Sequence, residues 1–267
     1  MVDDYSSRLV IEGSGAAVVL VPGMDGTGQL FYRQRPLLMR SRRVATYALR
    51  DSASDMQTLV SDLAGVIEAA APAERRAIVI GESFGGTLAM SLALERPERV
   101  AALVVLNSFP HFTPHVRLHL ARWGLRALPW GMMPLVRRVT ASRLHSAHTH
   151  RDDIRQFKRA TMNATREGYL NRLAILTQYD IRERLHELRM PTLFLAAEFD
   201  HLVPSLAQAN FMAARVPNAT VRLLDGHGHI CLIAPGVDLG QILDEWNAKA
   251  QSREPQAQSR EPKAQSL

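Results

Sequence analysis

Short apolar runs alternate with segments of helical periodicity along most of the chain. The apolar runs predict strands at residues 8–12, 17–21, 43–49, 77–80, 101–106, 192–197 and 220–224. Helical patterns predict helices at residues 55–70, 87–94, 205–216 and 237–250, with Asp55 as the N-cap of the first. Gly13-Ser14-Gly15, between the first two strands, indicates a hairpin. This alternation predicts an α/β fold, in which a mostly parallel central sheet has helices on both faces and an antiparallel pair at its start.

The alternation stops between residues 109 and 188, where the sequence shows helical pattern, four prolines and no convincing strand. A helical insertion between two strands is expected to cap the carboxyl ends of the sheet, where α/β proteins bind their ligands. We therefore predict a core at residues 1–108 and 189–250, with a helical cap insertion at residues 109–188. From residue 250 the chain repeats AQSREPQ, AQSREPK and AQSL, so we expect disorder over residues 251–267.

Composition and cysteine content narrow the class of protein. Of 267 residues, 46% are hydrophobic and 22% are charged, which is typical of a globular protein with a sizeable core. The single cysteine, Cys231, excludes an intramolecular disulfide. Asp3 and Asp4 stand where a signal peptide needs basic residues, and no window of about eighteen apolar residues follows. We therefore expect a cytoplasmic protein without a transmembrane segment.

The stretch Gly81-Glu82-Ser83-Phe84-Gly85 follows the strand at residues 77–80 and leads directly into a helical pattern. A strand and a helix joined so closely need a sharp turn, and glycine at 81 and 85 removes the Cβ atoms that would crowd it. In this setting the pattern G-x-S-x-G is typical of a nucleophile elbow, which raises a serine hydroxyl above a parallel sheet. The alternative is a glycine-rich turn whose serine only caps the helix.

A serine nucleophile needs a histidine as its base and an acid to orient that histidine. In an elbow fold the acid and then the histidine follow later strands. Glu198 and Asp200 follow the strand at residues 192–197, and Asp200 is preferred because a short turn separates it from the strand and the next helix opens just after it. His227 and His229 follow the strand at residues 220–224, and His229 is preferred because the apolar run 230–233 would fix its ring.

Negative charge that develops on a carbonyl oxygen during attack needs hydrogen-bond donors. The candidate donors are the backbone N–H groups of Phe84, which follows the nucleophile, and Met24, in the loop after the strand at residues 17–21. Asp25 is unexpected beside a site that stabilises negative charge. We interpret Asp25 as a turn residue that faces away and bonds the backbone near residues 26–28.

With these residues in place, the chain resembles the α/β-hydrolase superfamily over residues 8–250. The motifs PGMDGTG, EFDHLVPS and GHICLIAPGVDLGQIL look like the esterase, lipase and thioesterase branch that includes plant plastid phytyl ester synthases. In that branch PG-x-DGTG supplies the oxyanion loop and the histidine of GH is catalytic, which favours His229. Its members hydrolyse acyl esters or transfer acyl groups to long-chain alcohols. The long N-terminal region and the acyltransferase-like extension of the branch are not found in this sequence, so hydrolysis is expected rather than ester synthesis.

The residues and the resemblance together predict a serine hydrolase that cleaves carboxylic (acyl) esters or thioesters through an acyl-enzyme on Ser83. The mechanism requires no metal and no cofactor. Two alternatives remain open. One is an acyltransferase that moves acyl groups to a long-chain alcohol, and the other is a non-catalytic ligand receptor on the same fold.

Charge sets the insertion apart from the rest of the chain. Residues 111–160 contain ten Arg or Lys, two acids and six histidines. Such a cap would attract an anionic lipid surface, an acyl-carrier protein or an acidic substrate, unless it is simply a solvated helix face. No element typical of nucleic-acid recognition is present. His111, His115 and His119 have helical spacing, but Pro114 interrupts them and no carboxylate or cysteine is near, so a metal site is not expected.

Overall fold

In the described part of the chain, a seven-stranded sheet forms the centre of the molecule. The computed structural model describes residues 8–112, 123, 124, 126, 129–132 and 148–258, with the backbone alone for residues 130 and 250–258. The strands are β1 (Val10–Gly13), β2 (Ala16–Val21), β3 (Arg42–Thr46), β4 (Ala77–Glu82), β5 (Val100–Leu106), β6 (Thr192–Ala197) and β7 (Ala219–Leu224). Their order is β1-β3-β2-β4-β5-β6-β7, and every pair except β1 with β3 is parallel.

The predicted α/β fold with a mostly parallel sheet is confirmed, but the predicted hairpin is wrong. β1 pairs with β3 rather than with β2, and β3 lies between them. A Cβ on Gly13 would lie 2.4 Å from the carbonyl oxygen of Arg42, and a Cβ on Gly15 would lie 2.7 Å from that of Ser41. Both glycines have positive φ, at 80° and 100°. They therefore let the chain cross closely over the start of β3 instead of folding back beside β1.

Helices cover both faces of the sheet. They are α1 (Gln34–Leu38), α2 (Met56–Ala70), α3 (Phe84–Glu95), α4 (Arg151–Met162), α5 (Arg166–Leu176), α6 (Ser205–Ala213) and α7 (Leu239–Gln258). Short 3₁₀ turns lie at Gln29–Tyr32, Pro97–Arg99, Trp130–Met132 and Arg182–Glu187. Asp55 caps α2 as predicted, because its side chain accepts the N–H of Thr58 at 2.8 Å. α1 was not predicted, and α3 begins earlier than predicted, directly after Ser83.

Alternate residues of the central strands contribute to two apolar cores, one on each face of the sheet. On β4, Val79 packs in the core that contains Leu63 of α2 and Leu88 of α3. Ile80 packs on the opposite side, in the core that contains Leu243 of α7. Strands buried on both faces form continuous apolar runs, which is why β4 and β5 were recognisable in the sequence. These cores fix the carboxyl ends of the strands relative to one another.

The regular elements described in the insertion between β5 and β6 are helices and 3₁₀ turns. The insertion contains α4, α5 and the 3₁₀ turn Arg182–Glu187, with one isolated bridge between His111 and Asp180. Five of the ten basic residues counted between residues 111 and 160, together with His115, His119 and His145, lie outside the described residues. The interpretation of the cap as a docking surface for an anionic lipid or an acyl-carrier protein therefore stays a prediction.

The last helix extends beyond its predicted end. α7 continues to Gln258, beyond the predicted end at residue 250, while residues 259–267 lie outside the described part of the chain. Ala, Gln, Arg and Glu in the repeat have high helix propensity, which allows the backbone to continue as a helix. No helix in the described ranges, α7 included, combines the length and the apolar character needed to cross a membrane.

Candidate active site

Ser83 occupies the sharp turn between β4 and α3, at the carboxyl edge of the sheet. Its backbone has φ 55° and ψ −119°, and a conformation of this kind costs a non-glycine residue about 1–3 kcal/mol. A Cβ on Gly81 would lie 2.2 Å from the carbonyl oxygen of Gly85, and a Cβ on Gly85 would lie 2.2 Å from that of Val21. The turn therefore requires both glycines. The alternative of a serine cap is wrong, because the Ser83 side chain makes no capping hydrogen bond to α3.

The side chains of Ser83, His229 and Asp200 form one continuous chain of contacts. Nε2 of His229 is 3.1 Å from Oγ of Ser83, and Nδ1 of His229 is 2.7 Å from Oδ2 of Asp200. The three residues come from loops that follow β4, β7 and β6, whose carboxyl ends meet at one edge of the sheet. Ser83 is 8% exposed and His229 is 4% exposed, so the contacts are shielded from bulk water.

Asp200 accepts hydrogen bonds through both carboxylate oxygens. Oδ1 accepts the N–H groups of Leu202 and Val203, each at 2.9 Å, and Oδ2 accepts the hydroxyl of Ser205 as well as contacting His229. Burial alone would raise the pKa of Asp200, but the hydrogen bonds and charge of His229, with help from Ser205, hold that pKa below its usual value. Asp200 is therefore a carboxylate at neutral pH.

His229 is buried, and two opposing effects act on its pKa. Burial favours the neutral ring and would lower the pKa. The hydrogen bond to Asp200 and the negative charges of Asp200 and Glu82 outweigh burial, and they raise the pKa above the usual 6.5. With Nδ1 bonded to a carboxylate, the neutral ring carries its proton on Nδ1 and leaves Nε2 as an acceptor for the Ser83 hydroxyl.

The structure does not bring the two less favoured candidates, Glu198 and His227, into this chain of contacts. Oε2 of Glu198 accepts the N–H of Gly226 at 2.8 Å, so Glu198 caps the turn after β7. His227 is buried, but its ring lies beside that of His148, with the ring centroids 5.5 Å apart. The preference for Asp200 and His229 over their neighbours therefore agrees with the geometry.

The loop that contains Met24 lies directly against the turn at Ser83. A Cβ on Gly85 would lie 2.7 Å from the carbonyl oxygen of Pro22. The loop closes in a tight turn, in which Gly26 donates its N–H to the carbonyl of Gly23 at 3.0 Å. Phe84 is the first residue of α3, and N–H groups in the first turn of a helix have no partner within that helix.

Asp25 bonds within its own turn, as the sequence interpretation expected. Its Oδ2 accepts the backbone N–H of Thr27 at 2.9 Å and also the Thr27 hydroxyl. Asp25 is 6% exposed. These bonds direct its charge towards the turn backbone and explain how an acid is accommodated next to the site.

Arg172, which the sequence analysis missed, anchors this loop from the insertion. It lies on α5 and is 1% exposed. Its guanidinium donates to the carbonyl of Met24 at 3.2 Å and pairs with Oδ1 of Asp51 at 2.6 Å. A Cβ on Gly26 would lie 2.1 Å from the same guanidinium. No signal in the sequence separates Arg172 from the many other arginines of the insertion.

Glu82 is a second residue that the sequence analysis did not single out. It is buried beside Ser83, and burial raises its pKa to about 7, with the negative charges of Asp25 and Asp200 adding to the shift and His229 opposing it. A Cβ on Gly23 would lie 2.7 Å from Oε2 of Glu82. The carboxyl group of Glu82 therefore lies against the loop that contains Met24.

Metal ligation finds no support in the described ranges. Among those residues, no group of three or more His, Cys, Asp or Glu side chains is placed so that it could hold a metal ion.

The fold and these contacts define a class of α/β proteins with a serine at a strand-to-helix turn and a histidine and an acid after later strands. The family model described as alpha/beta hydrolase fold matches residues 16–234. The chain therefore belongs to the α/β-hydrolase fold family, and the predicted superfamily is confirmed.

Named relatives and solved structures agree with this family. A protein of Azorhizobium caulinodans, RutD, named as a candidate carbamate hydrolase, is 30% identical over 241 residues, covering 82% of this chain and 86% of that protein. The pimeloyl-[acyl-carrier protein] methyl ester esterase of Aliivibrio fischeri is 25% identical over 232 residues, covering 84% and 90%. The structure of a thermophilic esterase from Thermogutta terrifontis matches with TM-score 0.77 and 22% identity, covering 90% and 92%.

These likenesses establish the family and the fold. The narrower resemblance to the branch with plant phytyl ester synthases stays a prediction.

Proposed function

We propose that this protein is a serine hydrolase that cleaves carboxylic (acyl) esters or thioesters through an acyl-enzyme on Ser83. The observation that carries the proposal is the contact of Ser83 Oγ with His229 Nε2 at 3.1 Å, with Asp200 at 2.7 Å on the other ring nitrogen. One similar protein is named for carbamates and another for a methyl ester. Both substrate classes contain a carbonyl carbon bonded to a heteroatom, which is the group that a serine nucleophile attacks.

In the first half of the reaction, neutral His229 takes the proton of the Ser83 hydroxyl on Nε2 while Oγ attacks the carbonyl carbon. The carbonyl double bond becomes a single bond, and negative charge appears on its oxygen. When the carbonyl re-forms, the bond to the leaving group breaks and His229 returns the proton to the alcohol or thiol. The product of this half is an ester between the acyl group and Ser83.

The backbone N–H groups of Phe84 and Met24 stabilise the oxygen that becomes negative. Phe84 supplies an N–H at the start of α3, where the helix dipole also favours negative charge. Met24 supplies the second from the loop packed against Gly85 and held by Arg172. Loss of one such donor in a comparable enzyme costs about 2.7–4 kcal/mol of transition-state stabilisation.

In the second half, water attacks the acyl-enzyme. His229 takes a proton from the water, and the oxygen of Ser83 leaves as the ester bond breaks and recovers its proton from the ring. Asp200 stays ionised throughout, because its hydrogen bonds hold its pKa low, and it stabilises the positive ring that forms in each half. Every step uses groups of this chain and water.

A panel of p-nitrophenyl esters of increasing acyl length, measured with and without a long-chain alcohol, tests this proposal. We expect wild-type protein to release p-nitrophenol and free acid, and Ser83→Ala to lose turnover by at least about 10³-fold. If the ester of the added alcohol forms faster than free acid, the protein is an acyltransferase. Tight binding of the esters without any turnover would indicate a receptor.

Ser91→Ala is the matched control for the loss of a buried hydroxyl. Ser91 lies on α3, and its hydroxyl donates to the carbonyl of Thr87 at 2.9 Å without contacting His229. This variant should keep turnover close to wild type. Unchanged turnover in Ser83→Ala would refute the proposal.

A further inference from the structure

The end of β5 contacts the loops of all three residues in the proposed mechanism. The segment Leu106-Asn107-Ser108, which we call the β5 hub, closes the strand that lies between β4 and β6. Asn107 is 1% exposed and Ser108 is 3% exposed. The two polar side chains are therefore almost fully withdrawn from water and need partners within the protein.

The hub holds Ser83 through both sides of its backbone. The N–H of Ser83 donates to the carbonyl of Leu106 at 2.9 Å, and the hydroxyl of Ser108 donates to the carbonyl of Ser83 at 2.7 Å. Since a strained backbone persists only where its surroundings hold it, these two bonds help to keep Ser83 in its unusual conformation.

The side-chain amide of Asn107 joins the loops of the other two residues. Its Oδ1 accepts the N–H of Ala197, the last residue of β6, at 2.8 Å. Its Nδ2 donates to the backbone carbonyl of His229 at 2.7 Å. Asp200 lies three residues after Ala197, so one amide connects the base of the acid loop to the backbone of the histidine.

The backbone of Asn107 explains why asparagine suits this position. Its φ is 48°, in the left-handed region that asparagine tolerates better than most side chains. Glycine would accept this φ without strain but would remove the bonds to Ala197 and His229, as well as the longer contact of Nδ2 with Sγ of Cys231 at 3.6 Å. Aspartate would keep an acceptor for Ala197 but would place an oxygen against the carbonyl of His229. Asparagine supplies one acceptor and one donor in the required conformation.

We propose that Asn107 is a positioning residue that sets where the His229 ring lies between Ser83 and Asp200. The inference rests on the proposed function, because the position of the ring matters for transfer of the Ser83 proton. Asn107 acts through the His229 backbone and the base of the acid loop, and Ser108 fixes the serine in the same frame. A displacement of about 1 Å in such a site lowers turnover by about 10²-fold.

Asn107→Gly is the first test, because glycine suits the backbone and removes the side-chain bonds to Ala197, His229 and Cys231. With p-nitrophenyl acetate we expect kcat to fall about 10- to 100-fold while KM changes by less than about twofold. Proton NMR gives a readout that does not depend on turnover. The proton between His229 and Asp200 should give a strongly downfield resonance in wild type, and the variant should shift or broaden it.

Gln34→Ala is the matched control for a buried amide with several backbone bonds. The Gln34 side chain donates to the carbonyls of Leu232 and Val237 at 2.8 and 2.9 Å and accepts the N–H of Leu239 at 3.0 Å. Gln34 is fully buried, and these three hydrogen bonds do not involve the hub. Both variants should lower Tm, but only Asn107→Gly should lower kcat and move the NMR resonance. Asn107→Asp, which keeps an acceptor for Ala197, should behave like Asn107→Gly if the bond to His229 is decisive.

Wild-type kcat and an unmoved resonance in Asn107→Gly would overturn this inference and leave the serine-hydrolase proposal intact. Equal losses of kcat in Asn107→Gly and Gln34→Ala would also overturn it, because they would indicate a general effect of stability. If Asn107→Gly does not fold, Asn107→Asp decides by the same two measurements. If wild-type protein cleaves no ester, the proposed function fails, and the NMR comparison alone decides whether Asn107 positions the ring.

Discussion

Ser83 and His229 are held at the strand ends by hydrogen bonds to their backbone, whereas the loop of Met24 is held by a buried ion pair from the insertion. At the strand ends the partners are Leu106, the last residue of β5, and Asn107 and Ser108, which follow it. At the loop the partner is Arg172 of α5, paired with Asp51. The first region is part of the continuous core, and the second connects two separate parts of the chain.

The difference between these two regions affects both stability and activity. Neutral hydrogen bonds contribute about 0.5–1.5 kcal/mol each to stability. Removal of one bond at the strand ends should therefore displace the residues there with only a small loss of stability. Removing one partner of a buried ion pair leaves an uncompensated charge and costs about 3–5 kcal/mol. We therefore expect substitutions at the strand ends to lower turnover more than stability. Substitution of Arg172 should instead lower the free energy of unfolding more than turnover.

The largest expected effect is on turnover, in Asp200→Asn. The amide keeps one acceptor oxygen but no longer stabilises the proton on Nδ1 of His229, so kcat should fall by about 10⁴-fold with little loss of stability. Steady-state kinetics with a p-nitrophenyl ester and a urea titration measure the two quantities. Glu198→Gln, two residues earlier and still able to accept the Gly226 N–H, should keep wild-type kcat. Comparable losses in both variants would contradict the assignment of the acid.

Arg172→Met should give the next largest effect, and it falls on stability. The thioether fills part of the space, but the Asp51 carboxylate loses its guanidinium partner and keeps only neutral donors such as the Thr165 hydroxyl, so the free energy of unfolding should fall by up to about 3–5 kcal/mol. Turnover should also fall, because the loop of Met24 loses its contact with the insertion. Urea unfolding of Arg172→Met beside the double variant Arg172→Met/Asp51→Asn tests this cause. The double variant should recover part of the lost stability. If it recovers none, the charge of Asp51 is not the cause of the loss.

Asp55→Ala separates stability from activity at the N-cap of α2, where the Asp55 side chain bonds Thr58. Asp55 accepts the N–H of Thr58 at the start of α2, and loss of an N-cap costs about 1 kcal/mol. Urea unfolding should show this loss while kcat stays at the wild-type value. A fall in kcat similar to that of Arg172→Met would mean that destabilisation alone impairs turnover, and the comparison of the two regions would fail.

The smallest effect is expected in the pH profile of Glu82→Gln. His229 must be neutral to accept the Ser83 proton, so kcat/KM falls as the pH drops through the pKa of His229. The charge of Glu82 contributes to raising that pKa, so its removal should move the acid limb of the profile to lower pH. Glu198→Gln is the control and should leave the limb in place. If the acid limb of Glu82→Gln stays at the wild-type pH or moves to higher pH, the electrostatic account is contradicted.

Local pattern was sufficient to place Ser83, Asp200 and His229. Each follows an apolar strand, and parallel strands bring their carboxyl ends to one edge of a sheet. β6 lies at Thr192–Ala197, the range predicted from its apolar run. The glycines around Ser83 add a steric requirement that is readable in the sequence, because the turn leaves no room for Cβ atoms.

Contacts between distant parts of the chain could not be predicted in the same way. Arg172 and Met24 are separated by 148 positions, and Asn107 and His229 by 122. The sequence does not distinguish a buried arginine on α5 from a solvent-exposed one. Asn107 likewise has no local feature that distinguishes it from other residues that follow a strand. The hairpin prediction failed for the same reason, since Gly13 and Gly15 fit a local turn as well as a crossing over β3.

Mass spectrometry of the protein quenched in acid during turnover of p-nitrophenyl butyrate tests the central claim most directly. We expect a mass increase of one butyryl group, mapped by proteolysis to the peptide that contains Ser83 and absent from Ser83→Ala. Hydrolysis with the acyl group on another residue, or an adduct that persists unchanged in Ser83→Ala, would contradict the account.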